Sequence, residues 1–343
     1  MTIRMAYEMV MPYHLHMPSY FLETFTEYPY FNYKMKIAYL ISVYKDPQQF
    51  VRMLKALRGK ETYFFIHVDA KVDDKIFIDN LPIDLLPYVI FTSKRYYIQW
   101  GGFNQVLYQK ELLYTCVHSK ICFERVFLLT GQDYPLWSNE KIICELNDNP
   151  HKEYVIGLNI SEVKNPKKIP SKIILYHFFR DMNNVPYRIK KIFSGSSRIL
   201  MRLLPFRKKP YIMVKGKRWD VYQSSSYMCI TFELAQYVLD ELVVNKELMK
   251  YFRFSFVPEE MVIPTIIFNS PYKVNATIYK KGVYDGLKSL SAVTYFNYNK
   301  EIQVFSLKDY EELKESDKMF ARKFASDISE TLMNKLDKEH GVI

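Results

Sequence analysis

The chain has 343 residues, a formal net charge of +11 and a hydrophobic fraction of 49%. This composition can bury a large core and contains no fixed-period repeat, which excludes a disordered protein, a solenoid and a propeller. No apolar run approaches the roughly 18 residues that a membrane-spanning helix needs.

The first 34 residues contain acids, lack a continuous apolar segment and have neither clear helical nor clear strand periodicity. They do not resemble a signal peptide, and we expect residues 1–34 to be an N-terminal extension or a wrongly assigned start. We expect a single domain over residues 35–330, with a basic insertion at 182–219. Residues 331–343 are predicted to be the end of a C-terminal helix.

From residue 35 onward, apolar strand patterns alternate with amphipathic helix patterns. This alternation predicts an α/β fold with a mainly parallel central sheet, flanking helices and an elaborated second half, in which active sites lie beyond the carboxyl ends of strands. Over residues 163–210, Lys, Pro and Asn predict long irregular segments. The predicted strands cover 36–43, 62–68, 88–92, 125–130 and 153–158, and the helices between them cover 46–57, 103–119 and 138–147.

Polar residues follow several of these strands. His67 and Asp69 end the second strand, and Asp73 and Asp74 follow them, which suits a metal site, a nucleotide clamp or a solvated turn. "WGGFNQ" at 100–105 places two glycines before a helix, where main-chain N–H groups can bind phosphate, although a plain tight turn is the simpler interpretation.

Two further segments carry adjacent charged residues. Glu259 and Glu260 begin an apolar helical run, where acids complement the helix dipole, but an inward-facing carboxylate there would also suit a general base. Arg322 and Lys323 lie between aromatic residues and would suit either an anion clamp or a surface pair. Neither zinc-site spacing nor a disulfide pattern is present, so we expect four buried thiols in a reducing compartment.

The positive charge is concentrated in one segment. Between Asp181 and Asp220 there is no acid, and the bases are interleaved with apolar residues, which suits an anionic membrane surface as well as it suits a solvated loop. Nucleic acid is not expected, because no recognised binding module accompanies the segment. The eleven bases are Arg188, Lys190, Lys191, Arg198, Arg202, Arg207, Lys208, Lys209, Lys215, Lys217 and Arg218.

Seven segments in order resemble the core-2/I-branching β-1,6-N-acetylglucosaminyltransferase family, which also includes peptide O-xylosyltransferases, and we expect a bacterial-type member. The segments are "IAYLISVYKDPQQFVRMLKAL", "FFIHVDAK", "WGGFN", "FLLTGQDYPL", "SSSYMCITFELAQYVL", "VPEEMVIPTIIFNSP" and "DKMFARKF".

The resemblance implies a GT-A-type fold and an inverting transfer from a UDP-sugar, most simply UDP-GlcNAc in a β-1,6 linkage, to a glycan hydroxyl, with no divalent metal and no other cofactor. It assigns the catalytic base to Glu260, in the motif Pro258–Glu260, and charge stabilisation on the leaving diphosphate to Lys323. A second basic residue that would stabilise the diphosphate is left open among Arg322, Lys300 and Lys308. The implied nucleotide-sugar contacts are Tyr44, His67, Asp69, Trp100, Gly101, Asp133, Arg322 and Lys323, and the implied acceptor or sugar contacts are Ser225, Ser226, Tyr227 and Glu259.

The leading hypothesis is therefore a glycosyltransferase that acts in surface polysaccharide synthesis on a glycan or a lipid-linked oligosaccharide. We expect it in the cytoplasm, including the inner face of the membrane. Transfer of xylose or another sugar is an alternative within the family. A non-catalytic basic module that binds membrane or nucleic acid is the alternative from another class, but it leaves Glu260 and Lys323 unexplained.

Overall fold

A computed structural model of the chain describes residues 35–162, 173–183, 185–279, 286–298 and 301–342. The predicted extension at 1–34 lies outside the described residues. Across the described ranges, no helix is both long enough and apolar enough to cross a membrane.

Strands and helices alternate along the first half of the chain, as predicted. The strands are β1 (Ile37–Val43), β2 (Thr62–Val68), β3 (Val89–Phe91), β4 (Arg125–Thr130), β5 (Asp133–Pro135), β6 (Ile156–Asn159), β7 (Tyr211–Val214), β8 (Lys217–Asp220), β9 (Tyr222–Gln223), β10 (Met228–Thr231), β11 (Thr277–Ile278), β12 (Thr294–Phe296) and β13 (Phe320–Arg322). The α-helices are α1 (Pro47–Leu57), α2 (Lys75–Ile78), α3 (Asn104–Val117), α4 (Asn139–Asp148), α5 (Tyr187–Leu203), α6 (Phe232–Val244), α7 (Lys246–Phe252), α8 (Val262–Phe268), α9 (Tyr310–Glu315) and α10 (Ser326–Glu339).

The central sheet has five strands in the order β10-β4-β1-β2-β3. β1 pairs in parallel with β2 and β4, β2 pairs in parallel with β3, and β10 runs antiparallel to β4 at the edge. The predicted α/β fold with a mainly parallel sheet is confirmed. The carboxyl ends of β1, β2 and β4 consequently lie at one edge of the sheet.

Both faces of the sheet are covered. Along β1, Ala38 and Leu40 pack in one buried cluster with residues of α3, α6 and α8. Ile37, Tyr39 and Ile41 alternate with them and pack in a second cluster with residues of α1, α4 and α10. This arrangement explains why β1 is apolar at nearly every position, as parallel strands buried on both faces are.

Local sequence signals set the helix starts. Asp46 accepts a hydrogen bond from the N–H of Gln49 at 3.1 Å and precedes Pro47, which begins α1. Ser306 and Asp309 form a reciprocal capping box ahead of α9. Helix α10 spans residues 326–339 and buries Leu332 in the core, so a boundary between residues 330 and 331 would divide this helix.

The second half adds three small sheets, in the orders β11-β6-β9, β12-β13-β5 and β7-β8. The last is a hairpin whose turn residues, Lys215 and Gly216, have φ values of 49° and 79°, as a type I′ turn requires. The prediction of irregular structure over 163–210 is wrong for residues 187–203, which form α5. The helical spacing of its apolar residues was obscured by the Ser-Gly-Ser-Ser run at 194–197.

Candidate active site

Two predicted site residues follow strands at the carboxyl edge of the central sheet. Tyr44, after β1, is exposed, and its hydroxyl donates to Gln132 Oε1 at 3.1 Å. Asp69, after β2, is buried and accepts hydrogen bonds from the N–H groups of Lys71 at 3.0 Å and Ile98 at 3.2 Å. Its other oxygen pairs with Lys71 Nζ at 3.2 Å. The Asp69 carboxylate therefore organises the loop that follows β2.

Asp133 and Arg322 lie opposite each other on β5 and β13. Both are buried, and Arg322 Nε lies 3.7 Å from Asp133 Oδ1. Burial raises the pKa of the Asp133 carboxyl, while Arg322 and two hydrogen bonds from Thr130 act in the opposite direction. Within the described residues, Asp133 Oδ1 and Arg322 Nε and Nη1 make no hydrogen bond. Since buried polar groups are normally satisfied, this pair retains capacity for a ligand.

Lys323 is half-buried beside two other cations. Its pKa is lowered first by burial and then by the charges of Arg322 and Lys45, against an opposing effect of Glu301. The positive charges of Arg322 and Lys45 thus act on Lys323, and neighbouring cations of this kind favour binding of an anion. Lys45 was not among the predicted site residues, although its position two residues after the end of β1 was a usable signal. Two lysines were also considered as the second basic residue for the diphosphate. Lys308 is exposed, and Lys300 lies outside the described residues.

Glu260 lies on the single 3₁₀ turn Pro258–Glu260 that precedes α8. Its side chain is half-buried, and Oε2 accepts a hydrogen bond from Gln223 Nε2 at 2.7 Å. Its main-chain carbonyl accepts from the N–H of Ser224 at 2.9 Å. Glu259 on the same turn is buried, so the two adjacent carboxylates occupy different environments. Gln223, which orients Glu260, was not singled out from the sequence.

The loop between β9 and β10 connects Glu260 to the cations. Ser225 is buried, and its hydroxyl accepts from the N–H of Tyr227 at 3.3 Å, while Ser226 is partly exposed. The Cζ atom of Arg322 lies 4.4 Å from the centroid of the Tyr227 ring. One short loop therefore contacts both Glu260, through its main chain, and Arg322.

His67 has no exposed surface. Its Nε2 accepts from the N–H of Tyr96 at 3.0 Å, and its ring stacks on Tyr108 at 5.3 Å between centroids. Burial, and then the charge of Arg95, lower the pKa of the imidazole to about 4. His67 is therefore neutral at pH 7, and its Nδ1 is buried without a hydrogen-bond partner among the described residues.

Tyr108 on α3 was also missed, because its spacing fits the apolar face of that helix. Its pKa is raised first by burial and then by the charge of Glu259, with further effects from Arg322 and Asp133. The charges of Glu259, Arg322 and Asp133 therefore act on the Tyr108 hydroxyl. Tyr108 is a residue with a polar group at a position that helical periodicity alone predicts to be part of the core.

The segment 100–105, interpreted from the sequence as a tight turn or a phosphate-binding helix start, forms a tight turn that leads into α3. Gly101 has a φ of 69°, and a Cβ there would lie 2.6 Å from Phe256 Cε2. The N–H groups at the start of α3 donate to the Asp181 carboxylate at 2.8 and 3.1 Å, so in this structure a carboxylate occupies the place predicted for phosphate. Trp100 is 70% exposed and packs edge-on against Phe256.

Of the three interpretations given for Asp73 and Asp74, their contacts agree with a solvated turn. Asp73 accepts from the N–H of Lys75 at 3.0 Å, and Asp74 pairs with Arg95 at 2.9 Å. In the part of the chain that the structure describes, no three His, Cys, Asp or Glu side chains come together as metal ligands.

All four cysteines are free thiols. Cys116 and Cys229 are buried as expected, whereas Cys122 and Cys144 are exposed, which corrects the prediction of four buried thiols. Cys122 lies in the loop before β4, and Cys144 lies on the exposed side of α4, so neither position requires burial in the core.

Comparison with known proteins identifies the family. Residues 37–303 match the family model described as Core-2/I-Branching enzyme. The chain is 23% identical over 321 residues to a human protein named probable β-1,3-galactosyl-O-glycosyl-glycoprotein β-1,6-N-acetylglucosaminyltransferase 7, covering 89% of this chain and 67% of that protein.

Two other relatives match over smaller shares of their own lengths. A mouse β-1,3-galactosyl-O-glycosyl-glycoprotein β-1,6-N-acetylglucosaminyltransferase 4 is 23% identical, with 67% of this chain and 46% of that protein covered. The xylosyltransferase oxt of Drosophila melanogaster is 23% identical, with 70% of this chain and 25% of that protein covered. As its motifs predicted, the chain belongs to the core-2/I-branching enzyme family, a family of glycosyltransferases.

Proposed function

We propose that the chain is an inverting glycosyltransferase that moves a sugar from a UDP-sugar donor to a hydroxyl of a glycan acceptor. UDP-GlcNAc and a β-1,6 linkage are the first choice, because the matched relatives include several β-1,6-N-acetylglucosaminyltransferases. The acceptor is a surface polysaccharide or a lipid-linked oligosaccharide.

In the proposed reaction Glu260 is the general base. The acceptor oxygen attacks the anomeric carbon, its proton passes to the Glu260 carboxylate, and the bond from the anomeric carbon to the diphosphate oxygen breaks. The electron pair of that bond remains on UDP. Gln223 supports this role, because its hydrogen bond to Oε2 restricts the orientation of the carboxylate.

Charge that develops on the leaving diphosphate needs positive partners. Lys323, Lys45 and Arg322 supply them at the end of the central sheet, and preorganised cations in a partly buried site are effective in this role. We propose that these three side chains act in place of a divalent metal. Their arrangement supports a metal-independent reaction.

The observation that carries the proposal is the connection of Glu260 to the cationic group through one loop. Ser224 contacts the Glu260 main chain, and Tyr227, three residues later, stacks on Arg322. A proton acceptor and a diphosphate-binding group are thereby held in one region, as a single displacement requires.

Transfer of xylose is the second candidate, because the xylosyltransferase oxt matches 70% of this chain, a share similar to the 67% matched by the mouse β-1,6-N-acetylglucosaminyltransferase 4. The acceptor chemistry and the role of Glu260 would be the same, and the donor sugar alone would differ.

A donor panel tests the proposal. Purified chain is incubated with a mixture of glycan acceptors and, in separate reactions, UDP-GlcNAc, UDP-xylose, UDP-galactose or UDP-glucose in EDTA. UDP release is the readout, and each reaction is repeated with Mg²⁺ or Mn²⁺ in place of EDTA. We expect release from one donor, with UDP-GlcNAc preferred, at the same rate in EDTA and in metal. Release only in the presence of metal would contradict the mechanism, and no release from any donor would contradict the proposed activity.

A further inference from the structure

Helix α5 presents an apolar face that the described residues leave uncovered. None of its described side chains is buried. Their spacing puts the apolar ones on one side of the helix, and a helix gains most of its stability by burying such a face. The exposed fractions are 44% for Ile189, 66% for Ile192, 50% for Phe193, 59% for Ile199, 52% for Leu200, 79% for Leu203 and 64% for the following Phe206.

Bases lie beside this face. Arg188 and Arg202 are exposed on α5, and the sequence between 182 and 219 contains no acid. Helix α7 and the residue after it add Lys246, Lys250 and Arg253, all exposed, with Glu247 as the acid of that helix.

A groove of about 810 Å³ continues the apolar face. It lies between α3, α7 and the segment 177–182, with apolar walls that include Leu107, Phe179 and Met249 and a rim that includes the three bases of the α7 region. The Phe179 ring lies 5.8 Å from the ring of Phe193 on α5. The groove and the helix therefore form one surface, which we call the basic amphipathic face.

Two of the eleven bases, for which the sequence left a membrane surface and a solvated loop open, hold this face in place. Arg207 donates to the carbonyl oxygens of Met201 at 2.6 Å and Arg202 at 2.7 Å, which caps the end of α5. Lys208 is buried and donates to Ser255 Oγ at 2.7 Å and to the Tyr251 carbonyl at 3.2 Å.

We infer that the basic amphipathic face docks on a membrane surface that contains anionic lipids. An amphipathic helix with bases beside its apolar side lies in the interface of such a membrane. A second copy of this chain would bring the same uncompensated bases to the contact, and like charges would oppose it. Nucleic acid would leave the exposed Ile, Leu and Phe side chains uncovered. The inference rests on this face and not on the proposed transfer reaction.

Vesicle sedimentation tests the inference with the full chain. We expect binding to phosphatidylcholine vesicles that contain phosphatidylglycerol and little binding to phosphatidylcholine alone. Lys250→Glu and Arg202→Glu should each lower partitioning roughly fivefold or more. Ile192→Gln combined with Leu203→Gln should lower it further, because it removes the apolar contact.

Matched controls lie outside this face. Lys338→Glu and Ile83→Gln change an exposed base and an 86% exposed isoleucine elsewhere, and neither should alter binding. Thermal unfolding and UDP release separate loss of docking from loss of fold or activity. Absent binding, equal binding to neutral vesicles, or equal losses in the controls would overturn the inference. So would a dimer in solution that Ile192→Gln with Leu203→Gln dissociates, because a second copy would then cover the face.

Discussion

The site around Glu260 and the basic amphipathic face both use arginine and lysine, but they hold these side chains in different ways. Arg322 is buried against Asp133 and Tyr227, and its position depends on strand pairing between β13 and β5. Arg202 is exposed on α5. A cation that must meet one reacting group is held by packing, whereas a cation that meets a diffuse surface needs only to be accessible.

Substitution of the two arginines should separate these regions most strongly. Arg322→Met leaves the Asp133 carboxylate buried without its partner, so we expect the free energy of unfolding to fall by about 3–5 kcal/mol. The matched change Arg202→Met should alter it by less than about 0.5 kcal/mol. Urea denaturation measures both. Similar losses in the two variants would show that the Asp133–Arg322 pair does not organise the site.

Lys323 tests whether the cations of the site serve the reaction more than the fold. Lys323→Met should slow transfer by about 10²–10³-fold, or roughly 3–4 kcal/mol in the barrier. Stability should change little, because the substitution also removes repulsion from Arg322 and Lys45. Lys338→Met, at an exposed lysine outside the site, is the control. Initial rates at saturating donor give the comparison, and an unchanged rate in Lys323→Met would remove Lys323 from the reaction.

Lys208 and Lys209 offer a comparison between neighbours. Burial lowers the pKa of Lys208 to about 7, from 10.5 in the unfolded chain. Between these values the unfolded chain binds the additional proton, so stability should rise with pH, by up to about 1.4 kcal/mol per pH unit, and the penalty should be complete below pH 7.

Lys208→Met should abolish this part of the pH dependence, and Lys209→Met, at an exposed site, should keep it. Unfolding measured from pH 6 to pH 10 gives the two curves. If the curve of Lys208→Met coincides with that of the unmodified chain, the ammonium group is not buried as the structure shows.

The smallest effect is expected on the apolar side of α5. Ile192→Gln should change the free energy of unfolding in solution by less than about 0.5 kcal/mol, because the side chain is 66% exposed and makes no core contact in the described residues. Leu40→Ala in β1, by contrast, should cost about 2–5 kcal/mol. Denaturation without lipid is the measurement. A loss above about 2 kcal/mol in Ile192→Gln would show that the face is already packed.

The sequence predicted the parts of the fold that depend on local patterns. β2 and β4 were assigned with their observed ends, because parallel strands buried on both faces give continuous apolar runs. Helix α1 was recognised from Asp46 and Pro47, which act within their own turn. The family motifs also singled out Glu260 and Lys323, and the roles assigned to them stay predictions.

Contacts between distant residues could not be predicted in this way. Asp133 meets Arg322 only through strand pairing, and Asp181 reaches the start of α3 across more than 70 residues. Tyr108 follows the spacing of a core residue, so its polar surroundings are visible only in the folded chain. The complete burial of His67 and its stacking on Tyr108 are likewise visible only in the folded chain.

The most direct test of the account is the transfer rate of Glu260→Gln, measured in EDTA with the preferred donor and compared with the binding of UDP. Glutamine keeps the size of the side chain and an oxygen that accepts hydrogen bonds, but it cannot remove the proton from the attacking hydroxyl. We predict a loss of transfer of about 10²–10⁴-fold, with UDP affinity and unfolding temperature unchanged, and no loss in the exposed control Glu315→Gln. A Glu260→Gln enzyme that transfers at the rate of the unmodified chain would contradict the central claim.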